Sequence, residues 1–443
     1  MEHIAIVSLG CPKNTVDSEI LAAVADNSGY ELTNDLENAE IAVINTCAFI
    51  QPAVEEAIST ILDVSELKKT GKLKKLIVAG CLTERYREKI LEELPEVDLC
   101  IGIDAIPELG RILQEGQDGI LTGKKDSIDF LELPRKLSAN DGSAYIKISD
   151  GCDNTCTYCM IPSIRGKMRS RRIEDIVNEV TGLTKENKLQ EAILVAQDTT
   201  NYGFDLYGKP SLADLLERLI SSEGPKWYRM LYCYPELIDD RLIDLIAAND
   251  NLVPYFDIPM QHASDRILKL MGRKGTNGYY RELIEKIRHK VPDAVIRTTF
   301  ITGFPGESNE DFNELHKFIK EMKFDRIGVF TYCDEDGAAS YKLPGKISDE
   351  ISSKRRDILM REQAEISRKI NEKRVGKVYD IIISNVSDDG IFYEGRSYAE
   401  APEIDGLVYV ASSEPLEPGD MVRVRILEAR EYDLIGEAVN EPA

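Results

Sequence analysis

The residues best placed to do chemistry are Cys152, Cys156 and Cys159, in the run ISDGCDNTCTYCMIP. A C-x3-C-x2-C triplet can hold three corners of an iron–sulfur cube and leave the fourth iron without a protein ligand. Structural zinc takes four protein ligands, and an electron-transfer cluster is closed by four cysteines. A site one ligand short is open to a reactant. The plainer readings are three buried cysteines, or zinc with a distant fourth ligand.

Three more cysteines recur in one context. IAIVSLG precedes Cys11, IAVINT precedes Cys47 and KLIVAG precedes Cys81; helix-like segments follow, KNTVDSEILAAVAD, QPAVEEAISTILDV and LTERYREKILEEL. Each unit has the length of one strand plus one helix. In an open parallel sheet the C-terminal strand ends share one edge, where ligands bind. The three thiols therefore converge on a second site that is also one ligand short, unless they are unrelated core residues. Cys100, Cys233 and Cys333 lie within apolar strand-like runs and read as buried small hydrophobes.

The elements that position these residues fall into three units. Residues 1–121 alternate strands and helices, with VDLCIGI as a fourth strand, and read as a doubly wound parallel α/β domain. Residues 122–143 form a polar stretch with a proline and read as a linker. Residues 144–373 hold six strand candidates, AYIKIS, EAILVAQD, WYRMLYC, YFDIPM, AVIRTTFITG and RIGVFTY, with helical patterns between them. They predict a βα (TIM-like) barrel, complete or partly open, closed by a long amphipathic helix over 347–373. The 152–159 loop follows the first strand of that barrel, on the face where such barrels place their chemistry. Residues 374–443 turn to period two in KVYDIIISNV, GIFYEGRS, GLVYVA and DMVRVRILEAR, the pattern of a small antiparallel β-barrel.

Charge and compartment narrow the partners. The chain carries 55 Lys and Arg against 78 Asp and Glu, a net of −23. Residues 374–443 contain 6 basic and 15 acidic residues. Phe392, Tyr393 and Tyr398 could stack on bases, but Glu394, Glu400, Glu403 and Asp405 share their segment, so the expected partner is a basic protein and not tRNA. MEHIAIVSLG lacks the basic start and long apolar core of a signal peptide, and no apolar run reaches the ~20 residues of a membrane helix. Nine cysteines in such a chain point to a reducing cytoplasm and no membrane. Only four histidines occur, with no recognisable nucleophile–base dyad, so no catalytic residue is expected beyond the cluster ligands. His262 is the one just after a barrel strand. Arg165 and Lys167, beside the triplet, could grip a carboxylate or form a solvated loop.

ISDGCDNTCTYC resembles the motif of radical S-adenosylmethionine (SAM) enzymes. SLGCPKNTVDSE, INTCAFI and AGCLTERY are similar to the three cysteine motifs of the methylthiotransferase N-terminal domain. With a terminal barrel that resembles a TRAM domain, the similarity spans essentially the whole chain. SLGCPKN, Phe49-Ile50 and APEIDG are similar to the branch acting on an aspartate of small-subunit ribosomal protein twelve; DEDGAAS departs from the family in Ala338, where relatives commonly have Thr. The resemblance implies two 4Fe-4S clusters, on Cys152, Cys156 and Cys159 and on Cys11, Cys47 and Cys81, together with SAM. It implies SAM contacts at Tyr158, at Gln197, and at Gly303, Phe304, Pro305 and Gly306. The implied reaction places a methylthio group on the aspartate β-carbon by a SAM-derived radical. The implied partners are a basic ribosomal protein, free or on the ribosome, and an electron donor such as a flavodoxin. A tRNA isopentenyladenosine methylthiotransferase and a non-enzymatic, metal-stabilised RNA-binding protein are the alternatives.

Overall fold

Short β-branched runs buried on both faces form parallel strands, and the first part of the chain is built from them. The computed structural model describes residues 2–69, 71–124, 128–388 and 390–439. Strands β1 (His3–Ser8), β2 (Glu31–Leu32), β3 (Ile41–Thr46), β4 (Lys75–Gly80), β5 (Leu99–Ile101) and β6 (Gly119–Leu121) make one parallel sheet in the order β2-β1-β3-β4-β5-β6. The short edge strand β2 and strand β6 add to the four strands expected. Helices α1 (Pro12–Asn27), α2 (Gln51–Ser65) and α3 (Cys81–Tyr86) follow β1, β3 and β4.

The stretch read as a polar linker is better anchored than its composition implied. A turn of 3-10 helix, Asp129–Glu132, buries Phe130 and Leu131 in the first core. Arg135 pairs with Glu19 at 3.1 Å and Glu179 at 2.9 Å, tying α1 to the next unit.

The second sheet has the six expected strands: β7 (Ser143–Lys147), β10 (Glu191–Val195), β11 (Trp227–Met230), β12 (Leu252–Asp257), β13 (Val295–Thr302) and β14 (Arg326–Thr331), all parallel. The order β14-β13-β12-β11-β10-β7 leaves β7 and β14 unpaired with each other, so the barrel is open. A two-stranded ribbon of β8 (Ser149–Asp150) and β9 (Arg169–Ser170) brackets the cysteine loop. The long helix, Asp349–Glu372, covers the β14 edge and starts with Ser348 accepting from the Ile351 N–H.

The terminal unit is a closed five-stranded barrel of β15 (Val378–Val386), β16 (Tyr393–Arg396), β17 (Val408–Ala411), β18 (Met421–Ala429) and β19 (Leu434–Ala438). Strand β19 lies outside the four period-two runs, and it closes the barrel by pairing parallel to β17. Its short run LIGEA, with a glycine at the centre, carries little alternation.

The terminal barrel does not float. Its segment 396–405 is inserted into the open βα barrel. Arg396 pairs with Glu191 at 2.8 Å, Arg229 donates to the Tyr398 carbonyl at 2.8 Å, and Tyr255 donates to Asp405 at 2.6 Å. Glu400, expected on an acidic face, is instead buried between Arg374 and Arg326, with Ser397 donating to it at 2.6 Å. Burial opposes its ionisation, but the two arginines outweigh burial and hold the carboxyl at about 2. Because that lies below the unfolded glutamate value of about 4.3, its stabilisation is full above the latter and lost as the pH falls through about 2. Glu400→Gln, which strands two buried guanidinium groups, is expected to cost about 3 kcal/mol in denaturant unfolding and to remove that acid-side loss of stability.

Candidate active site

The cysteines sit at strand ends because the strands leave them there. Cys11 caps α1 in extended conformation and Pro12 starts the helix, a residue suited to that position. Cys47 follows β3 by one residue, and Cys81 is the first residue of α3. Close packing is needed at this edge. Gly10 has φ +95°, and a Cβ there would lie 2.5 Å from the Cβ of Cys47. Gly151, before Cys152, has φ +79°, and a Cβ would meet the Lys167 carbonyl at 2.1 Å.

All six cysteines line one cavity of about 310 Å³ between the first sheet and the mouth of the open barrel. Phe49, Ile161, Ile164, Tyr232 and Cys233 make much of its wall. The thiols differ in character. Burial works against ionising Cys11, but Lys13 and Arg165 beside it, with backbone N–H donors, bring it below the ordinary thiol value. Burial, reinforced by the neighbouring thiols, pushes Cys47 up to about 12; burial also raises Cys81 against the pull of Arg165. In the other group burial pushes Cys152 to about 11 and Cys159 to about 12.

The donor set fits iron–sulfur clusters. The backbone N–H of Asn154 points to Cys152 Sγ at 3.4 Å and that of Ile161 to Cys159 Sγ at 3.4 Å, while Arg165 reaches Cys81 Sγ at 3.3 Å. Hydrogen bonds of this kind to ligand sulfurs tune such clusters. Among the described residues no three His, Cys, Asp or Glu side chains are gathered as a single-ion site.

Arg165 neither waits for a substrate carboxylate nor lies in a solvated loop. It is buried, and donates to Asp150 at 3.0 Å, to Asp17 at 3.2 Å and to Asn14 Oδ1 at 2.7 Å. Lys147 pairs with the same two aspartates, and Gln197 donates to Asp150 at 2.7 Å. Burial disfavours the Asp150 carboxylate, yet Arg165, Lys147 and Arg169 hold it well below the usual range. Lys167 is exposed and does not line the cavity.

Of the SAM contacts implied by resemblance, Tyr158 and Gln197 line the cavity. Gly303, Phe304, Pro305 and Gly306 do not; Phe304 is fully buried one layer behind, in the cluster against which Tyr158 packs. His262 is also off the cavity, fully buried with its Nδ1 accepting from the Ser264 N–H at 2.9 Å; burial lowers it to about 3, so it stays neutral. Cys100 is buried as expected, Cys233 is buried but borders the cavity, and Cys333 is only half-buried.

Several wall residues escaped the sequence reading. Lys13, Asn154, Tyr234, Pro259, Gln261 and Arg273 all line the cavity. Tyr232 lies near the end of the run WYRMLYC and Gln261 directly follows YFDIPM, and both adopt left-handed backbone, φ 63° and 74°, which no local pattern announces. Position at a strand's C-terminal end was the one usable signal.

Comparison with known proteins now decides the lineage. Residues 3–102 match uncharacterized protein family UPF0004, 146–319 the radical SAM superfamily and 375–439 the TRAM domain. The ribosomal protein uS12 methylthiotransferase RimO of Acetivibrio thermocellus is 47% identical, over 99% of both chains. That of Clostridioides difficile is 46% identical over the full length of both. The chain belongs to the uS12 methylthiotransferase family. Among solved structures, the radical SAM methyltransferase TsrM of Kitasatospora setae shares the fold with a TM-score of 0.55 and 13% identity, over 88% of this chain and 78% of the other. As a member of that family the chain is a radical-SAM methylthiotransferase.

The cross-domain charge cluster generates a prediction. Arg165→Met leaves Asp150 and Asp17 short of a cation. It is expected to lower stability by about 3–5 kcal/mol in chemical denaturation. An unchanged unfolding free energy would show that Arg165 does not hold the two domains together.

Proposed function

We propose that Cys152, Cys156 and Cys159 hold the cluster that binds SAM, and that Cys11, Cys47 and Cys81 hold the second cluster, for methylthio transfer to the β-carbon of an aspartate in uS12. The observation that carries this reading is that six cysteines from two domains border one cavity. When bound, the clusters and SAM supply the electron, the carbon radical and the methylthio sulfur, chemistry that no side-chain base offers at an unactivated C–H bond.

The chain's own residues hold and shield. Asn154 and Ile161 fix Cys152 and Cys159 by N–H donation, and Arg165 fixes Cys81. Phe49, Ile161, Ile164 and Tyr232 keep water from a reactive intermediate. Tyr158 and Gln197 are the best-placed SAM contacts; in the turn Gly303, Phe304, Pro305 and Gly306, Phe304 supports Tyr158 from behind. The reductant is an external one-electron donor such as a flavodoxin, and the setting is the cytoplasm. No helix among the described residues is long and apolar enough to cross a membrane.

The acidic terminal barrel favours a basic protein partner. Burial removes Arg374 and Arg396 from its surface along with Glu400, so the acidic excess remains outside. Glu403 is exposed and Glu394 half-buried.

Two experiments follow. After anaerobic reconstitution about eight irons per chain are expected; replacing Cys152, Cys156 and Cys159 by Ala should leave about half and abolish SAM cleavage. Replacing Cys11, Cys47 and Cys81 should also leave about half, with SAM cleavage continuing and no methylthio product. Full iron retention in either variant would sink the ligand assignment. For the partner, Glu394→Lys with Glu403→Lys should slow association with uS12 by about tenfold at low salt, an effect that shrinks above ~0.15 M; an unchanged on-rate would remove the terminal barrel from recognition.

A further inference from the structure

Three basic side chains border the cavity: Lys13, Arg165 and Arg273. Arg165 is neutralised by Asp150 and Asp17. Arg273 stacks 3.8 Å from the Tyr234 ring centroid and donates to the Pro259 carbonyl at 2.8 Å. Lys13 is different. It is 7% exposed, and among the described residues it has no carboxylate partner; its ammonium stands 3.5 Å from the centroid of the Tyr232 ring.

The one neighbour that gains from this cation is the Cys11 thiol, and no carboxylate among the described residues meets it. Lys13 is the second residue of the 16-residue helix α1, whose N-terminal end is already electropositive, and the first turn carries no acidic residue. The aromatic face of Tyr232 compensates only in part. Tyr232 is itself held in left-handed backbone at φ 63°, its N–H donating to Asp257 at 2.8 Å and its carbonyl accepting from the Thr199 N–H at 3.1 Å. The ring is thus fixed under the ammonium. A buried ammonium without a carboxylate partner, at a positive helix end, suits an anion that arrives from outside.

We propose that Lys13 is the specificity-determining residue that binds the side-chain carboxylate of the substrate aspartate. This rests on the assignment of an aspartate substrate above. A carboxylate entering a cavity walled by Phe49, Ile161, Ile164 and Tyr232 needs a cation inside it, and Lys13 provides one two residues from Cys11. The β-carbon is bonded to that carboxylate carbon, so an anchored carboxylate brings the reacting carbon into the space that both triads border. A neutral nucleobase gains nothing from this contact, so the same residue selects for acid.

The test measures equilibrium binding to the reconstituted holoenzyme without reductant, so that no turnover occurs. The ligands are intact uS12 and its version with asparagine at the modified aspartate. Wild type is expected to bind the aspartate form about 30-fold tighter. Lys13→Met and Lys13→Gln are each expected to bring that ratio to about 1, and Lys13→Arg to keep a preference for acid. The ratio is read on variants that keep the wild-type iron and unfolding transition and still bind uS12, so a general loss of folding or iron does not imitate it. A wild-type preference that persists in both neutral variants overturns the proposal; if those variants also lose iron, Lys13 serves the cluster on Cys11 instead. Equal binding of both forms by a wild type that still modifies uS12 overturns it too. A wild type that neither binds nor modifies uS12 refutes the aspartate assignment and the role of Lys13 with it.

Discussion

Four buried charges hold this molecule in register. Asp17 and, through its neighbour Asn14, the start of α1 come from the first domain; Lys147, Asp150 and Arg165 come from the barrel. The two cations and two anions are each 0–3% exposed, so water cannot replace a lost partner. An apolar interface would tolerate a slide of an ångström; this one would leave an unpaired charge. The sheet edge that bears Cys11, Cys47 and Cys81 is thereby fixed over the loop that bears Cys152, Cys156 and Cys159. Peripheral pairs reinforce it: Arg85 with Glu335 at 2.7 Å, and Arg169 with Asp104 at 2.7 Å.

The opposite end of the open barrel is closed by the terminal domain. Glu191 lies between Arg229 and Arg396, and Glu400 between Arg326 and Arg374, so the junction again relies on shared carboxylates. A six-stranded open sheet has two exposed strand edges. The Asp349–Glu372 helix covers one of them, and the 396–405 segment fills the interior. The terminal barrel thus does structural work beyond presenting an acidic surface, and part of the charge counted in its sequence never meets solvent.

The cavity between these supports is apolar on much of its wall, yet crossed by cations whose partners differ. Arg165 is neutralised within the protein, Arg273 rests on an aromatic ring and carbonyl, and Lys13 is left to an aromatic face. Left-handed backbone at Tyr232 and Gln261 clusters at the same wall, the place where strained conformations are retained because they position groups for chemistry.

The sequence by itself determined the six cysteines, the strand–cysteine–helix units, the six barrel strands and the placement of the cysteine loop at the barrel mouth. These are local signals: β-branched runs, glycine before cysteine, and a period that switches from helix to strand. Tertiary structure alone decided the rest. Arg165 looks like a surface loop residue until Asp17, 148 positions away, is brought to it. Glu400 counts as acidic surface until two distant arginines enclose it, and Lys13 is one charge in a helix start until the cavity forms around it. Charge in a sequence carries no record of its partner, because a single pairing across domains has no period and no spacing. What a charged residue does is fixed by the dielectric and the counter-ion it meets after folding.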